Sequence, residues 1–342
     1  MHPDLYRQML RARAYEVAVA DLWRRGLISG EMHLGTGEEA VAAGVVTHLR
    51  DGDGLALAHR CSPPLVVRGV PLVRMLRELL GKPDGLGHGR AGHMHLFSRE
   101  HLAGSSGVVG ASLPMGAGLA LAASRLRPRR IAVAFTGDGA LNQGMALETL
   151  NLAVAWNLPL LVVCIDNRWA IATRSADVSG GEPGERAAAF GWQTARVDGR
   201  DVLAVHAAAQ TLIGRLRKGR KPAFLLATCP RLDGHFLGDP MLRMARQPLT
   251  DGRELLGEVA GAATRKGGDL LRRVGGVLRM TRLLVQARAG AERDGRGDPL
   301  QQARDAMARD PEVRDRIEHE VHDEIASALE AALIDTPGGV DA

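Results

Sequence analysis

Aromatic residues make up only 3% of the 342-residue chain. Modules that stack nucleic-acid bases interleave aromatic and basic residues. Here the arginines are dispersed, so the net charge of +5 points to anionic small molecules or partner subunits and not to nucleic acid. Cysteine is equally scarce. Cys61, Cys164 and Cys229 are odd in number, far apart and form no C-x-x-C pair, which excludes a disulfide scaffold and leaves reduced thiols. Long apolar runs are missing too. The longest, Leu158 to Ile165, is interrupted by Pro159 and falls far short of the roughly 20 residues that a spanning helix needs. The amino terminus carries Asp4, Arg7, Arg11, Arg13, Glu16 and Asp21 with no apolar core of signal-peptide type. A cytoplasmic protein without stable membrane insertion is expected.

What is present is ordinary globular composition, 45% hydrophobic and 24% charged. Leu5, Met9, Ala12, Tyr15, Val19 and Leu22 recur at helical spacing within residues 1–30, with a largely arginine polar face and Gly26 as a stop. Further helices are expected over 38–49 and over 71–80, the latter opened by Pro71. Ten glycines between Gly81 and Gly118 predict a loop that approaches something closely. Ile131 to Phe135 and Leu158 to Ile165, flanking a helix over 142–156, make a βαβ unit with buried parallel strands, and Phe224 to Thr228 is a further strand. The chain is read as an α/β domain over 1–248, followed by a helical region over 249–342 that ends in a helix from Pro311 to Ile334.

The chemistry is expected at the strand ends. The first strand of the βαβ unit runs into Thr136-Gly137-Asp138-Gly139-Ala140, and the second ends in Asp166-Asn167, with 27 residues between Gly139 and Asn167. Parallel neighbours end on the same edge of a sheet, where open α/β sheets bind ligands, so Asp138 and Asn167 converge. A carboxylate, an amide oxygen and a backbone carbonyl are hard oxygen ligands suited to Mg²⁺, whose remaining positions are filled by phosphate oxygens and water. The pair describes a Mg²⁺-diphosphate site.

The stretch from Gly137 to Asn167 resembles the thiamine-diphosphate motif, and specifically that of the alpha subunit of E1 components of 2-oxo acid and acetoin dehydrogenases. The segments HLGTGEEAVAAGV, HGRAGHMHLF, GVVGASLPMGAGLALA and RLDGHFLGDP are similar to further signatures of that family, and the resemblance spans about residues 5–240 and resumes at the final helix. It implies a three-layer α/β/α fold with a mainly parallel sheet. It also implies thiamine diphosphate and Mg²⁺ as cofactors, with Asp138, Asn167 and the carbonyl of Trp169 on the metal. Gly137, Gly139 and Ala140 would line the diphosphate turn, Arg60 would pair with a phosphate, and His59 and His95 would sit beside the cofactor. Val109 would meet the aminopyrimidine through its backbone, and His235 would face the reacting carbon as the catalytic residue. The implied activity is decarboxylation of a 2-oxo acid, pyruvate or branched-chain, with the acyl group passed to a lipoyl-bearing E2. Cleavage of acetoin is the alternative, supported by the His59-Arg60 pair, and a non-catalytic cofactor-binding or scaffold subunit is a second. A β subunit in an α₂β₂ assembly is expected as the obligate partner.

Duller readings compete at some positions. Cys61 beside Arg60 reads as a structural thiol and not a nucleophile. His88, His93, His95 and His101 raise zinc, with His93 and His95 pointing the same way from an extended chain, but the glycines around them favour a cofactor loop. His93 stands where the family usually has serine. Residues 256–297 depart from the family pattern and read as a basic amphipathic helix, built on Leu270, Leu271, Val274, Val277 and Leu278 with Arg272, Arg273 and Arg279.

Overall fold

The computed structural model describes residues 1–219, 221–239 and 297–334. Helix α1 (Pro3–Arg24) has proline in its first turn and buries Leu5, Met9, Ala12, Tyr15, Val19 and Leu22 along one stripe. Gly26, at φ 72°, turns the chain out of it, a conformation for which glycine carries no Cβ penalty. Helices α2 (Glu39–Val46), α3 (Ser62–Arg68) and α4 (Leu72–Leu79) follow, with strand β1 (Gly54–Leu57) between α2 and α3. Next come β2 (Phe97–Ser98), β3 (Ala103–Ser105), α5 (Ser112–Leu126), β4 (Ala132–Gly137), α6 (Gly144–Ala155) and β5 (Leu160–Asp166). A hairpin of β6 (Trp169–Ala170) and β7 (Thr173–Arg174) leads to α7 (Ser175–Val178), α8 (Pro183–Ala189), β8 (Gln193–Asp198), α9 (Val202–Leu216) and β9 (Ala223–Thr228). The described part of the carboxyl-terminal region is helical, α10 (Pro299–Ala306) and α11 (Pro311–Leu333).

Seven strands form one sheet in the order β2-β3-β1-β4-β5-β9-β8. Only β2 and β3 pair antiparallel; the other five pairings are parallel. Alternation along the strands divides the core into two layers. Val133, Phe135, Leu161, Val163, Ile165, Leu225 and Ala227 face the side covered by α1, α2 and α9. Ala132, Ala134, Leu160, Val162, Cys164, Phe224 and Leu226 face α5 and α6. The small residues on the second face let α5 come close: a Cβ placed on Gly116 would sit 2.7 Å from that of Ala134. This is the three-layer α/β/α arrangement with a mainly parallel sheet that the sequence led us to expect.

Several elements differ from the sequence reading. The glycine-rich span is not all loop, since it holds β2, β3 and the start of α5. Strand β1 is only four residues long, and the edge strand β8 alternates intermediate and exposed positions, so neither carries the continuous apolar run of a central strand. The arginine face of α1 does not simply meet water. Arg7 pairs with Glu320 at 2.6 Å, Arg11 with Glu324 at 2.7 Å, and the Tyr6 hydroxyl donates to Glu318 at 2.6 Å, which binds α11 across the amino-terminal helix. The basic stretch 256–297 lies outside the described residues but for Gly297.

The loop between α4 and β2 is held by one carboxylate. Glu78, buried near the end of α4, accepts from the backbone N–H groups of Gly87 (2.6 Å), Gly89 (3.0 Å), Ala91 (2.7 Å) and Gly92 (3.3 Å). Gly85 has no room for a side chain, because its Cβ would fall 2.6 Å from the Glu78 Cα. Four N–H groups on one buried carboxylate are charge-assisted bonds with no alternative partner in the loop. Glu78→Ala is therefore expected to cost about 2–4 kcal/mol in urea unfolding and to speed hydrogen exchange at Gly87, Gly89, Ala91 and Gly92. Unchanged exchange at those amides would refute the role given to Glu78.

Candidate active site

The carboxyl ends of β1, β4, β5 and β9 lie side by side on one edge of the sheet. Gly137 pairs with Ile165 across β4 and β5; Asp138 is the first residue beyond β4, while β5 continues to Asp166, paired with Thr228, before Asn167. Asp138 is 4% exposed, its N–H donates to the Ile165 carbonyl at 3.2 Å, and the Ser175 hydroxyl donates to its Oδ2. Burial raises its carboxyl to about 6, the Ser175 bond opposing that rise and Asp166 adding to it. Among the described residues no cation pairs with it. A Cβ on Gly139 would meet that of Ala170 at 2.6 Å, so only glycine lets the turn pass this close to β6. The turn does not run straight into α6, which starts at Gly144. A single 3₁₀ turn, Gly139–Asn142, intervenes, and the N–H groups nearest Asp138 belong to it and not to the α6 terminus.

Asn167 and Trp169 frame the same corner. Asn167 Oδ1 accepts from the Trp169 N–H at 3.1 Å, which fixes the amide oxygen within its own turn. The β6–β7 hairpin turns at Ile171, whose φ of 54° is an outlier for a β-branched residue, and Arg168 stands at φ 66°. Arg231 holds this strained hairpin from the far side, donating to the Ile171 carbonyl at 2.8 Å with its guanidinium 5.4 Å from the Trp169 ring centre. Strain maintained by such ties is common where a ligand corner is built.

Beyond β1 and β9 lies a group of histidines. The ring of His33 meets those of His59 (4.9 Å), His93 (5.2 Å) and His235 (4.7 Å), and His59 lies 5.6 Å from His235. Arg60 ties the segments that carry them. Its guanidinium donates to the carbonyls of Leu34, Gly234 (3.2 Å) and His235 (2.9 Å) and lies 3.6 Å from Glu38. Burial, followed by Arg60, lowers His59 to about 2 and His235 to about 4. Burial also lowers His33 to about 3 and His93 to about 4. Four imidazoles are therefore neutral at physiological pH, a state their shared burial beside one guanidinium imposes.

The acidic side of this wall is pushed toward the protonated form. Glu16, fully buried in α1, accepts from the Gly35 N–H at 3.1 Å, while its Oε2 has no partner among the described residues. Burial raises it to about 8. Glu38 is raised to about 7 by burial, with Arg60 opposing and Glu39 and Asp138 reinforcing. The Asp138 corner and the histidine group thus share an electrostatic boundary at Glu38.

His95 and Val109 lie apart from these contacts. Both are exposed, His95 in the turn before β2 and Val109 ahead of α5. The segment from His93 to His95 is turn and bend and not extended chain; His93 meets His33, and His95 is exposed. His88 bonds the Pro83 carbonyl and His101 the Ser98 hydroxyl. Cys61 is buried against the His93 carbonyl, its thiol pushed up to about 12 by burial, as a structural thiol should be. Sequence reasoning missed His33, Ser175, Glu16 and Glu38. Ser175 opens a short helix, a position where serine is common, but its bond to Asp138 spans 37 residues.

The proton on Glu16 has a measurable consequence. An acid raised in the folded state stabilises below its unfolded value of about 4.5, and that contribution disappears as pH rises through about 8. Glu16→Gln removes the charge without changing shape. If it matches the wild type in urea unfolding at pH 6, it is expected to exceed it by about 2–3 kcal/mol at pH 9. Equal losses at both pH values would show that Glu16 is ionised in the fold.

Comparison with known proteins identifies relatives of this chain. The family model described as dehydrogenase E1 component matches residues 6–251. The alpha subunit of acetoin:2,6-dichlorophenolindophenol oxidoreductase from Bacillus subtilis is 39% identical over 237 residues, 69% of this chain and 71% of that one. The pyruvate dehydrogenase E1 component subunit alpha of Zymomonas mobilis is 36% identical over 254 residues, 73% of this chain and 72% of that one. Among solved structures, transketolase from Campylobacter jejuni superposes with a TM-score of 0.55 at 17% identity, covering 74% of this chain and 43% of the transketolase. That likeness is one of fold, and the chain spans less than half of the transketolase. With a matched segment that contains Asp138, Asn167 and the histidine group, the chain belongs to the dehydrogenase E1 component family, among its oxidoreductase alpha subunits.

Proposed function

We propose that this chain binds thiamine diphosphate and Mg²⁺ at the edge of the sheet and works as the alpha subunit of an E1 enzyme acting on a 2-oxo acid or on acetoin. The observation that carries the reading is the pairing of β4 with β5. Asp138, a buried carboxylate with no counter-cation among the described residues, follows the paired end of β4, and Asn167 follows that of β5, which supports the reading. Two hard oxygens on one wall, with the Trp169 carbonyl as a third ligand, suit a Mg²⁺ whose other positions go to phosphate and water. A divalent cation there would compensate Asp138 and hold it ionised. Gly137, Gly139 and Ala140 give the diphosphate an unobstructed turn.

When bound, the cofactor would supply a nucleophilic carbon for addition to a carbonyl group, and the residues of this chain would orient it, exclude water and hold protons. His235, neutral and with its backbone N–H donating to Asp239 Oδ2 at 2.8 Å, would face the reacting carbon with His59 beside it. Arg60 serves three backbone carbonyls with three of its five N–H donors, which leaves donors for a phosphate. His95 and Val109, at the exposed rim, would complete the cofactor site against a β subunit in an α₂β₂ assembly. In the 2-oxo acid reading the acyl product passes to a lipoyl-bearing E2. The similarity to an acetoin oxidoreductase subunit supports acetoin as the second substrate class.

Calorimetric titration of thiamine diphosphate with Mg²⁺ into the chain co-expressed with a β subunit tests the reading. Metal-dependent binding is expected in the wild type and should weaken more than about 100-fold in Asp138→Asn. A folded α–β complex that binds no cofactor would sink the proposal.

A further inference from the structure

His93 makes a contact that fixes the hydrogen-bond polarity of the histidine group. Its Nε2 lies 3.3 Å from the backbone N–H of His33 and 3.0 Å from His33 Nδ1. A backbone N–H can only donate, so His93 Nε2 accepts, and the single proton of the neutral His93 ring resides on Nδ1. His33 Nδ1 faces that same acceptor. A bare Nδ1 would set two lone pairs against each other at 3.0 Å, whereas an Nδ1–H donates into His93. The proton of the neutral His33 ring is then committed to Nδ1. His33 Nε2 is left bare, and it makes no hydrogen bond to any described residue.

We propose that His93 is a positioning residue that locks His33 in its Nδ1–H tautomer, so that the site presents a bare imidazole nitrogen to accept from a substrate hydroxyl. This rests on the cofactor reading above for the identity of the site, but its structural part does not. The rings face one another in a nearly parallel pair, 16° between planes, while His59 and His235 meet His33 edge-on at 84° and 80°. The titratable and charged groups facing His33 are His93, His59, His235 and Arg60, and those facing His93 are His33, His95 and Arg60. Burial first, then His235, Arg60 and His93 for His33, and His95 and Arg60 for His93, favours the neutral rings that the tautomer argument requires. Glu78 adds support from below, since it organises the loop that delivers His93. A bare nitrogen accepts from the hydroxyl of an α-hydroxy ketone and repels the carboxylate of a 2-oxo acid. The polarity set by His93 therefore selects for the hydroxy-ketone class.

Two measurements test this. In the full chain labelled with ¹⁵N-histidine, two-bond ¹H–¹⁵N spectra distinguish the tautomers of each ring. His33 is expected as Nδ1–H in the wild type and in His93→Gln, whose side-chain oxygen can stand in for the accepting nitrogen. In His93→Phe, which keeps bulk and removes the acceptor, His33 should shift toward Nε2–H. An Nε2–H tautomer of His33 in the wild type overturns the proposal whether or not the variants fold. These spectra need neither cofactor nor β chain, so they separate its failure from failure of the cofactor reading. In the α–β holoenzyme, His93→Phe should lower kcat/KM for acetoin about tenfold more than for pyruvate, roughly one hydrogen bond, with His93→Gln restoring it. Equal losses for the two substrates would overturn the hydroxyl assignment.

Discussion

The pairing of β4 with β5 is the constraint on which the site depends. Six consecutive residue pairs, Ala132 with Leu160 through Gly137 with Ile165, fix the register, and both faces of each strand are buried. A slip by one residue would exchange every side chain between the two core layers, so the register is strongly specified. The positions of Asp138 and Asn167 are thereby set by apolar packing a full strand away from the chemistry. The local devices, a glycine at 139 that admits β6 and a serine at 175 that donates to Asp138, refine a placement the sheet has already made.

The second theme is the suppression of charge. Glu16 and Glu38 are pushed up and four histidines pushed down, in each case chiefly by burial. Arg60 remains as the cation among them, and three of its five N–H donors go to carbonyls that join the β1 end to the Leu34 and Gly234 segments. A wall of this kind offers directional donors and acceptors in place of net charge, and in a low-dielectric site such groups orient a neutral fragment effectively. Concentration of perturbed acids and bases in one corner is itself a mark of a functional site.

How much of this was legible in the sequence depended on whether the signal was local. Asp138 and Asn167 were readable because two apolar runs of strand length each end in a polar residue, and the intervening stretch is the right size for one crossover helix. Arg60 and His235 were readable through the family resemblance. His33 was not, because a single histidine ahead of a Gly-Thr-Gly turn carries no periodicity and its partners lie 26, 60 and 202 residues away. The acids of α11 gave no hint that they pair with arginines of α1 more than 310 residues earlier. The glycine-rich span read as loop because its strands are two and three residues long, too short for a period to show. Helix α9, by contrast, buries Val202, Val205, Ala209, Leu212 and Leu216 at helical spacing behind an Asp201 cap, and its period is plain once sought.

The claim that strand register builds a divalent-cation site is most directly tested by locating the ion. Crystals of the chain grown with thiamine diphosphate and Mn²⁺, which shares the oxygen preference of Mg²⁺, would show it by anomalous scattering. The account predicts one peak about 2.1–2.3 Å from oxygens of Asp138 and Asn167. A peak among His33, His59, His93 and His235, with none at Asp138, would contradict it.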